Sequence, residues 1–419
     1  LQLYLNDLAS VEVEYISVKI STLFSQINLL AFDKTIESLA IPLRRLYRAA
    51  RDHFYVDAKG ERRSKFVNLD MEEYRDLRLT VALFKHVLSE PEFFHHSAGI
   101  VLQSYLPDSY LIQRELTLWA MQRFAAGGAP IKIRIVKGAN LAMEQVDAAL
   151  HGWPQAPYTY KTDVDANFKR MVSEACKKEH AQAVHIGIGS HNLFDIAYAL
   201  LLRRENGVEK EVDFEMLEGM ADHLRRVVQA LAGDLLLYCP IAKESEFQNA
   251  IAYLVRRLDE NTAPDNFLRH SFDLIPNTRE WHQQASLFSI ACHASNSLAF
   301  ASRRTQNRLL KPKKPLFEAP FENESDTDWS LDSNAKWGLQ LLKEWKEKKH
   351  SPIPLVVGGE EKMSSLAKGI DPSYPSSVLY EFSQAQEKEI ELALKSAQAA
   401  QKEFEKIPLK ERSEEHTSE

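Results

Sequence analysis

IKIRIVKGAN, residues 131–140, is a short apolar run that ends first in charge and then in small residues. Its length suits one buried strand, and a period of two puts Arg134 and Lys137 on opposite sides of it. Gly138 and Ala139 then remove bulk, so that backbone can approach a flat ligand or a phosphate. Alone, the run is a strand and an ordinary turn. It has company: VEYISVKI (13–20), KFVNLDM (65–71), AGIVLQSY (98–105), AVHIGIGSHN (183–192), VDFEMLEGM (212–220) and DLLLYCPI (234–241) share its form. Amphipathic stretches of helix length separate them, an alternation that predicts a parallel sheet with helical crossovers. Seven such units in about 230 residues point to a distorted (βα)8 TIM-type barrel, a fold that takes about 250. A doubly wound open sheet is the alternative, although no GxGxxG follows the first strand.

Seven strands are one short of a barrel. Leu1–Ser10 reads as the end of a helix, and the chain opens Leu1-Gln2-Leu3 without a Met. The expectation is that the first barrel strand precedes Leu1 in a longer parent. The barrel is expected over residues 1–310. KPKKPLFEAPFENESDTDWS (311–330), rich in Pro, Lys and acids, reads as the main part of a linker over 311–350. A second domain is expected over 351–419, with IPLVVGGEE (353–361) as a strand running into a Gly-Gly turn and an Ala/Glu/Lys/Gln helix over 385–406.

Composition narrows the function. The 419 residues are 44% hydrophobic and 26% charged, with 52 basic against 59 acidic side chains and a net charge of −7. That balance is globular, and it disfavours nucleic acid as a partner. Cys176, Cys239 and Cys292 form no CxxC, which predicts neither a disulfide framework nor a zinc site and fits a reducing, cytoplasmic setting. No apolar run approaches the roughly 18–20 residues of a membrane span, and no signal peptide is visible.

In a barrel the C-terminal strand ends carry the site. Those ends hold Lys19, Asp70, Gln103, Arg134 with Lys137, Ser190-His191-Asn192, Glu218 and Tyr238. One polar strand end is usually just meeting solvent, whereas seven on one face suggest a shared polar site. YLVRRLDEN (253–261) adds a second signal. On a helix Tyr253, Arg256, Arg257 and Glu260 share one face, and Ile251, Leu254, Val255 and Leu258 are expected to pack inward on the other. Two adjacent guanidinium forks beside a Tyr suit a carboxylate clamped over a ring; the plainer reading is a solvated face with an Arg256–Glu260 pair. In HIGIGSHN, His185 reads as structural and His191 as ligand-facing. The spacing is not that of HExxH, so no metal is assigned. His95 and His96 read as an exposed helix end.

Taken in order, ISVKIS, VNLD, VLQSY, IRIVKGAN, GSHN, FEMLEGM, YCPI and YLVRRLDEN resemble proline dehydrogenase over roughly residues 10–270, and most of all the proline dehydrogenase domain of bacterial bifunctional proline utilisation enzymes. The resemblance implies a barrel that holds FAD, oxidises L-proline to pyrroline-5-carboxylate and passes electrons to a membrane quinone. By motif, Lys19, Arg256 and Arg257 would bind the proline carboxylate, and Leu217 and Tyr253 would wall the substrate. Asp70, Arg134 and Tyr238 are the expected catalytic residues. Val101, Gln103, Arg134, Gly138, Ala139, Ser190, His191, Asn192 and Glu260 would contact FAD. Many members read KGAY where this chain has Asn140, which removes one aromatic contact. The tail beyond about Pro352 resembles the start of an aldehyde dehydrogenase domain and stops before any nucleophilic cysteine, so that second activity is expected to be absent. The resemblance also implies the rest of a bifunctional chain as partner, a homo-oligomer formed through it, and a cytoplasmic enzyme peripheral at the inner face of the membrane. Two other readings are another flavin barrel, such as a methylenetetrahydrofolate reductase, and an inactive fragment.

Overall fold

The computed structural model describes the chain apart from residues 58, 240–243, 265, 272–273, 312–322, 349 and 415–419; at 246, 249, 252, 253, 256, 259–261, 410, 413 and 414 it describes backbone only. The chain divides into two compact units, Leu1–Gly338 and Leu339–Glu419.

All seven expected strands form in the first unit: β1 (Tyr15–Lys19), β2 (Phe66–Asp70), β3 (Gly99–Gln103), β4 (Ile131–Val136), β5 (Val184–Gly189), β6 (Val212–Leu217) and β7 (Leu235–Tyr238). They pair in parallel in chain order, β1 to β7. The sheet thus has the seven parallel strands expected of a barrel short of one, and it is open rather than closed. Among the described residues β1 and β7 do not pair with each other.

One face of strands β1 to β6 is apolar and covered, whereas β7 at the edge is only half-buried. Val18, Leu69, Ile100, Leu102, Ile133, Ile135, Ile188 and Phe214 are all but fully buried beneath the crossover helices. The reason is legible in the first crossover, where Ile36, Leu39, Leu43, Leu46, Tyr47 and Ala50 repeat at three- and four-residue spacing. They line one face of helix α1 (Phe32–Asp52), and all are buried. The other crossover helices are α2 (Leu77–Leu88), α3 (Asp108–Ala125), α4 (Leu141–His151), α5 (Lys161–Ala175), α6 (Leu193–Asn206) and α7 (Asp222–Ala232). The opposite face of the sheet carries Ser17, Asn68, Lys132, Arg134 and Glu215.

The sheet curls tightly. Neighbouring strands lie about 4.8 Å apart, so a flat sheet would hold β1 roughly 14 Å from β4. Arg134 on β4 nonetheless donates to Ser17 on β1 at 3.2 Å and lies 5.0 Å over the Tyr238 ring on β7. One side chain on the central strand thus touches both edge strands, and the inner face is concave.

His96 is no exposed helix end. It is buried, with ring centroids 5.0 Å from Tyr47 and 6.1 Å from Phe93. Burial, and after it Arg123 and Arg51, push its pKa down to about 4. The unfolded chain protonates first, near 6.5, so the stability owed to neutral His96 is complete above that pH and is lost as pH falls towards 4. The loss amounts to roughly 3 kcal/mol. Urea melts at pH 7 and pH 4.5 should show it, and His96→Leu should reduce the difference. Equal pH dependence in the two proteins would remove His96 as the cause.

The last part of the first unit is a strap along the crossover helices. After helices α8 (Phe247–Thr262) and α9 (Arg279–Ala294), Tyr158 donates to the Ala299 carbonyl at 2.7 Å and Arg170 to that of Leu298 at 2.8 Å. Tyr74 and Ser302 share a hydroxyl hydrogen bond of 3.1 Å. Arg304 and Asp328 pair at 2.9 Å with both side chains almost wholly buried. Asn334 donates to the Asp328 carbonyl, and Trp153 to that of Asp326. Residues 323–338, which read as spacer by composition, are therefore docked structure.

In the second unit, hairpin β8–β9 (Leu355–Val357, Glu360–Lys362) turns on Gly358 and Gly359, both at positive φ, as the Gly-Gly turn requires. Hairpin β10–β11 (Ser365–Asp371, Tyr374–Gln384) follows, and then helix α10 (Glu387–Phe404), opened by a Gln386/Glu389 capping box.

Candidate active site

The concave face gathers charge. Arg134 lies between Glu215 at 3.3 Å and Asp70 at 3.1 Å, and Lys132 binds Glu215 at 2.8 Å and Asp213 at 3.6 Å. Burial alone would lower the Arg134 pKa; Glu215 and Asp70 more than reverse that and raise it. Arg134 is thus a fixed cation, its Nε buried without a hydrogen-bond partner. Space for the network comes from Gly187 on β5, in register with Arg134 on β4: a Cβ there would run into Glu215 Oε1.

The three expected catalytic residues, Asp70, Arg134 and Tyr238, come together. Lys19 pairs in register with Asp70, and its Nζ donates to Glu72 at 2.5 Å. Val101 is buried beside Arg134 in register, and Gln103 at the end of β3 donates to the Glu72 carbonyl at 3.4 Å, its own Oε1 buried and unpartnered. Gly138, at φ +117°, brings backbone so close to the Tyr105 ring that a Cβ would lie 2.7 Å from it; Ala139 completes that turn.

At the end of β5 the residues take local roles. Ser190 Oγ accepts from Asn192 N, and Asn192 Oδ1 caps α6 by accepting from Phe194 and Asp195. His191 Nε2 accepts from Leu217 N at 3.1 Å, which ties the expected cofactor residue to the expected substrate wall. Burial, with Arg257 adding to it, lowers the His191 pKa, and an Nε2 that accepts from a backbone N–H carries no proton of its own. Arg257 therefore lies within electrostatic reach of this corner. The side chains of Tyr253, Arg256 and Glu260 lie outside the described residues. The inward packing expected of Ile251, Leu254, Val255 and Leu258 does not occur; each is about half exposed or more.

Lys137 leaves the concave face, as its odd position requires. It pairs with Asp165 at 2.5 Å and Asp195 at 2.7 Å, and Lys169 joins Asp195 at 2.8 Å. Glu218 is exposed. Reading strand ends missed Ser17, Asn68, Lys132 and Glu215. Ser17, Asn68 and Lys132 each stand two residues before a residue that was read, and the same period of two would have found them; Glu215 stands three before Glu218 and was hidden because the strand ends one residue earlier, at Leu217.

The sequence profile described as Proline dehydrogenase matches residues 4–270. The Bifunctional protein PutA of Escherichia coli (strain K12) is 25% identical over 407 residues, covering 91% of this chain and 28% of the relative. Among solved structures, proline utilization A from Corynebacterium freiburgense is 40% identical with a TM-score of 0.70, over 85% of this chain and 33% of that one. Proline utilization A from Bdellovibrio bacteriovorus, solved inactivated by N-propargylglycine, is 30% identical with a TM-score of 0.75, over 94% of this chain and 38% of that one. The chain spans between about a quarter and two fifths of these relatives.

Proposed function

Because the chain belongs to the proline dehydrogenase family, we propose that its first unit oxidises L-proline to pyrroline-5-carboxylate with FAD bound on the concave face. The observation that carries this reading is Arg134: a buried, permanently charged group whose Nε–H has no partner, fixed between two carboxylates and over an aromatic ring. The donor set fits a flavin. Arg134 Nε and Gln103 Oε1 are buried groups awaiting partners, and the Gly138 turn brings backbone to close approach. Arg134, Gln103, Val101, Gly138, Ala139, Ser190, His191, Asn192 and Glu260 would hold it. When bound, FAD would supply the two-electron acceptor that no side chain can provide, with a membrane quinone as the onward acceptor.

The chain's own residues position and polarise. Lys19, Arg256 and Arg257 take the substrate carboxylate, which fixes one end of a small ring and makes the reaction effectively unimolecular. Leu217 and Tyr253 wall the ring. Arg134 holds positive charge where negative charge develops, and needs no reorganisation because Glu215 and Asp70 already hold it. The match to Bdellovibrio proline utilization A runs over 94% of the chain and so into the second unit, which supports reading that unit as the start of the aldehyde dehydrogenase part of a longer bifunctional protein. Attachment at the inner face of the membrane follows from the quinone and belongs to the same proposal.

The test is spectroscopic. The purified chain should show a flavin band that L-proline bleaches without oxygen, and Arg134→Ala should lower flavin content or slow bleaching. A flavin-loaded chain indifferent to proline would overturn the reading.

A further inference from the structure

The concave face and its first loop bring three cations, Lys19, Lys132 and Arg134, against four carboxylates, Asp70, Glu72, Asp213 and Glu215. Each of these cations is already paired, so an incoming anion must displace a resident carboxylate or join an overcrowded one. The partners differ in how readily they can leave. Glu215 is 3% exposed and grips both Arg134 and Lys132 from a strand, and Asp70 is likewise fixed on β2. Glu72 is 32% exposed, lies on the loop after β2, and pairs with Lys19, itself 35% exposed. Its only other side-chain hydrogen bond among the described residues is a long one, 3.4 Å, from Ser21.

The backbone around Glu72, by contrast, is pinned. Its carbonyl accepts from Gln103 at 3.4 Å and from Asn140 at 3.3 Å, and Tyr74 N donates to Glu144 at 2.7 Å. Asn140, which stands where many relatives carry an aromatic, here helps to anchor the loop that presents Glu72. The side chain can swing away from Lys19 without moving the loop.

We infer that Glu72 is a specificity-determining residue: it is the resident counterion of Lys19, and the substrate carboxylate takes its place. The inference rests on the reading of Lys19 as a carboxylate contact for proline. Glu72 then sets an entry threshold. A ligand must bring its own carboxylate to recover the interaction lost when Glu72 leaves, whereas a neutral ring cannot displace it. Glu72 competes in the ground state, so its effect falls on binding.

Glu72→Gln keeps shape and removes the competing charge. In the flavin-loaded full chain it should lower KM for proline and tighten cyclopentanecarboxylate, a ring carboxylate with no amine to oxidise, by roughly two- to fivefold, the range of an exposed ion pair. Calorimetry gives the second value without turnover. Glu72→Asp, which keeps the charge but draws it back from Lys19, should fall between. In a Lys19→Met background the gain should vanish. If Glu72→Gln weakens either ligand or changes neither while Lys19→Met weakens both, Glu72 is not a competitor and the inference fails with the proline site intact. If Lys19→Met leaves both ligands unaffected, the reading of Lys19 fails and the inference with it.

Discussion

Glu215→Ala is expected to destabilise the first unit by about 3–5 kcal/mol, a fall in thermal midpoint on the order of 10 °C. Glu215 answers both Lys132 and Arg134, and all three side chains are buried. Its removal leaves Lys132 with a single carboxylate, at 3.6 Å, and Arg134 with Asp70 as its one remaining ion-pair partner among the described residues. The penalty comes from the stranded charge more than from the lost attraction. Pairing Glu215→Leu with Arg134→Met should therefore recover part of the stability, while bound flavin should be lost in both proteins. A single variant that melts within a degree of wild type would mean that water reaches the concave face and screens it. Such a result would also weaken the argument that Arg134 is held ready for a developing negative charge.

Asp195→Ala should cost a similar 3–5 kcal/mol by the same route on the other side of the sheet. Asp195 and Lys169 are 1% and 2% exposed, and Lys137 depends on the same carboxylate. Burial by itself would lower the Lys137 pKa; Asp195 and Asp165 overcome it and raise it. Asp165 is likewise pushed up by burial but held well below the carboxylate range by Lys137 and Lys161. Lys137 immediately precedes the Gly138 turn, so flavin content should fall as a secondary effect. Thermal melts with and without added FAD separate the two. A loss that FAD fully restores would place Asp195 in the cofactor site, and a loss below about 1 kcal/mol would show that Asp165 suffices for Lys137.

The strands were legible because each is a continuous apolar run closed by a polar residue, a form that few helices share. β4 kept that form even with Lys132 and Arg134 inside it. Lys132 shows what was obscured. A charge in mid-strand looks like noise in a hydrophobic run until the strand curls and its inner face becomes a pocket. The face of α8 failed for the opposite reason. Ile251, Leu254 and Val255 have the spacing of a buried stripe, yet they are about half exposed, because periodicity reports that a face is apolar and not what covers it. Residues 323–338 resemble a linker in composition since what holds them is polar: the Arg304–Asp328 pair, the Asn334 amide and backbone carbonyls. Composition measures burial of apolar surface and is silent on such contacts.

The strap has a bearing on the order of events during folding. Each strand of the sheet pairs with the next strand of its layer, so the curl can extend by successive short closures. Tyr74 and Ser302 are 228 residues apart in the chain, and their loop closes at small entropic cost only after the sheet between them exists. The strap is thus the last piece in place and, by reversal, the first to let go. Interactions made that late are absent from the transition state, so the buried Arg304–Asp328 pair is expected to slow unfolding while leaving the folding rate almost untouched. It acts as a latch on the lifetime of the native state.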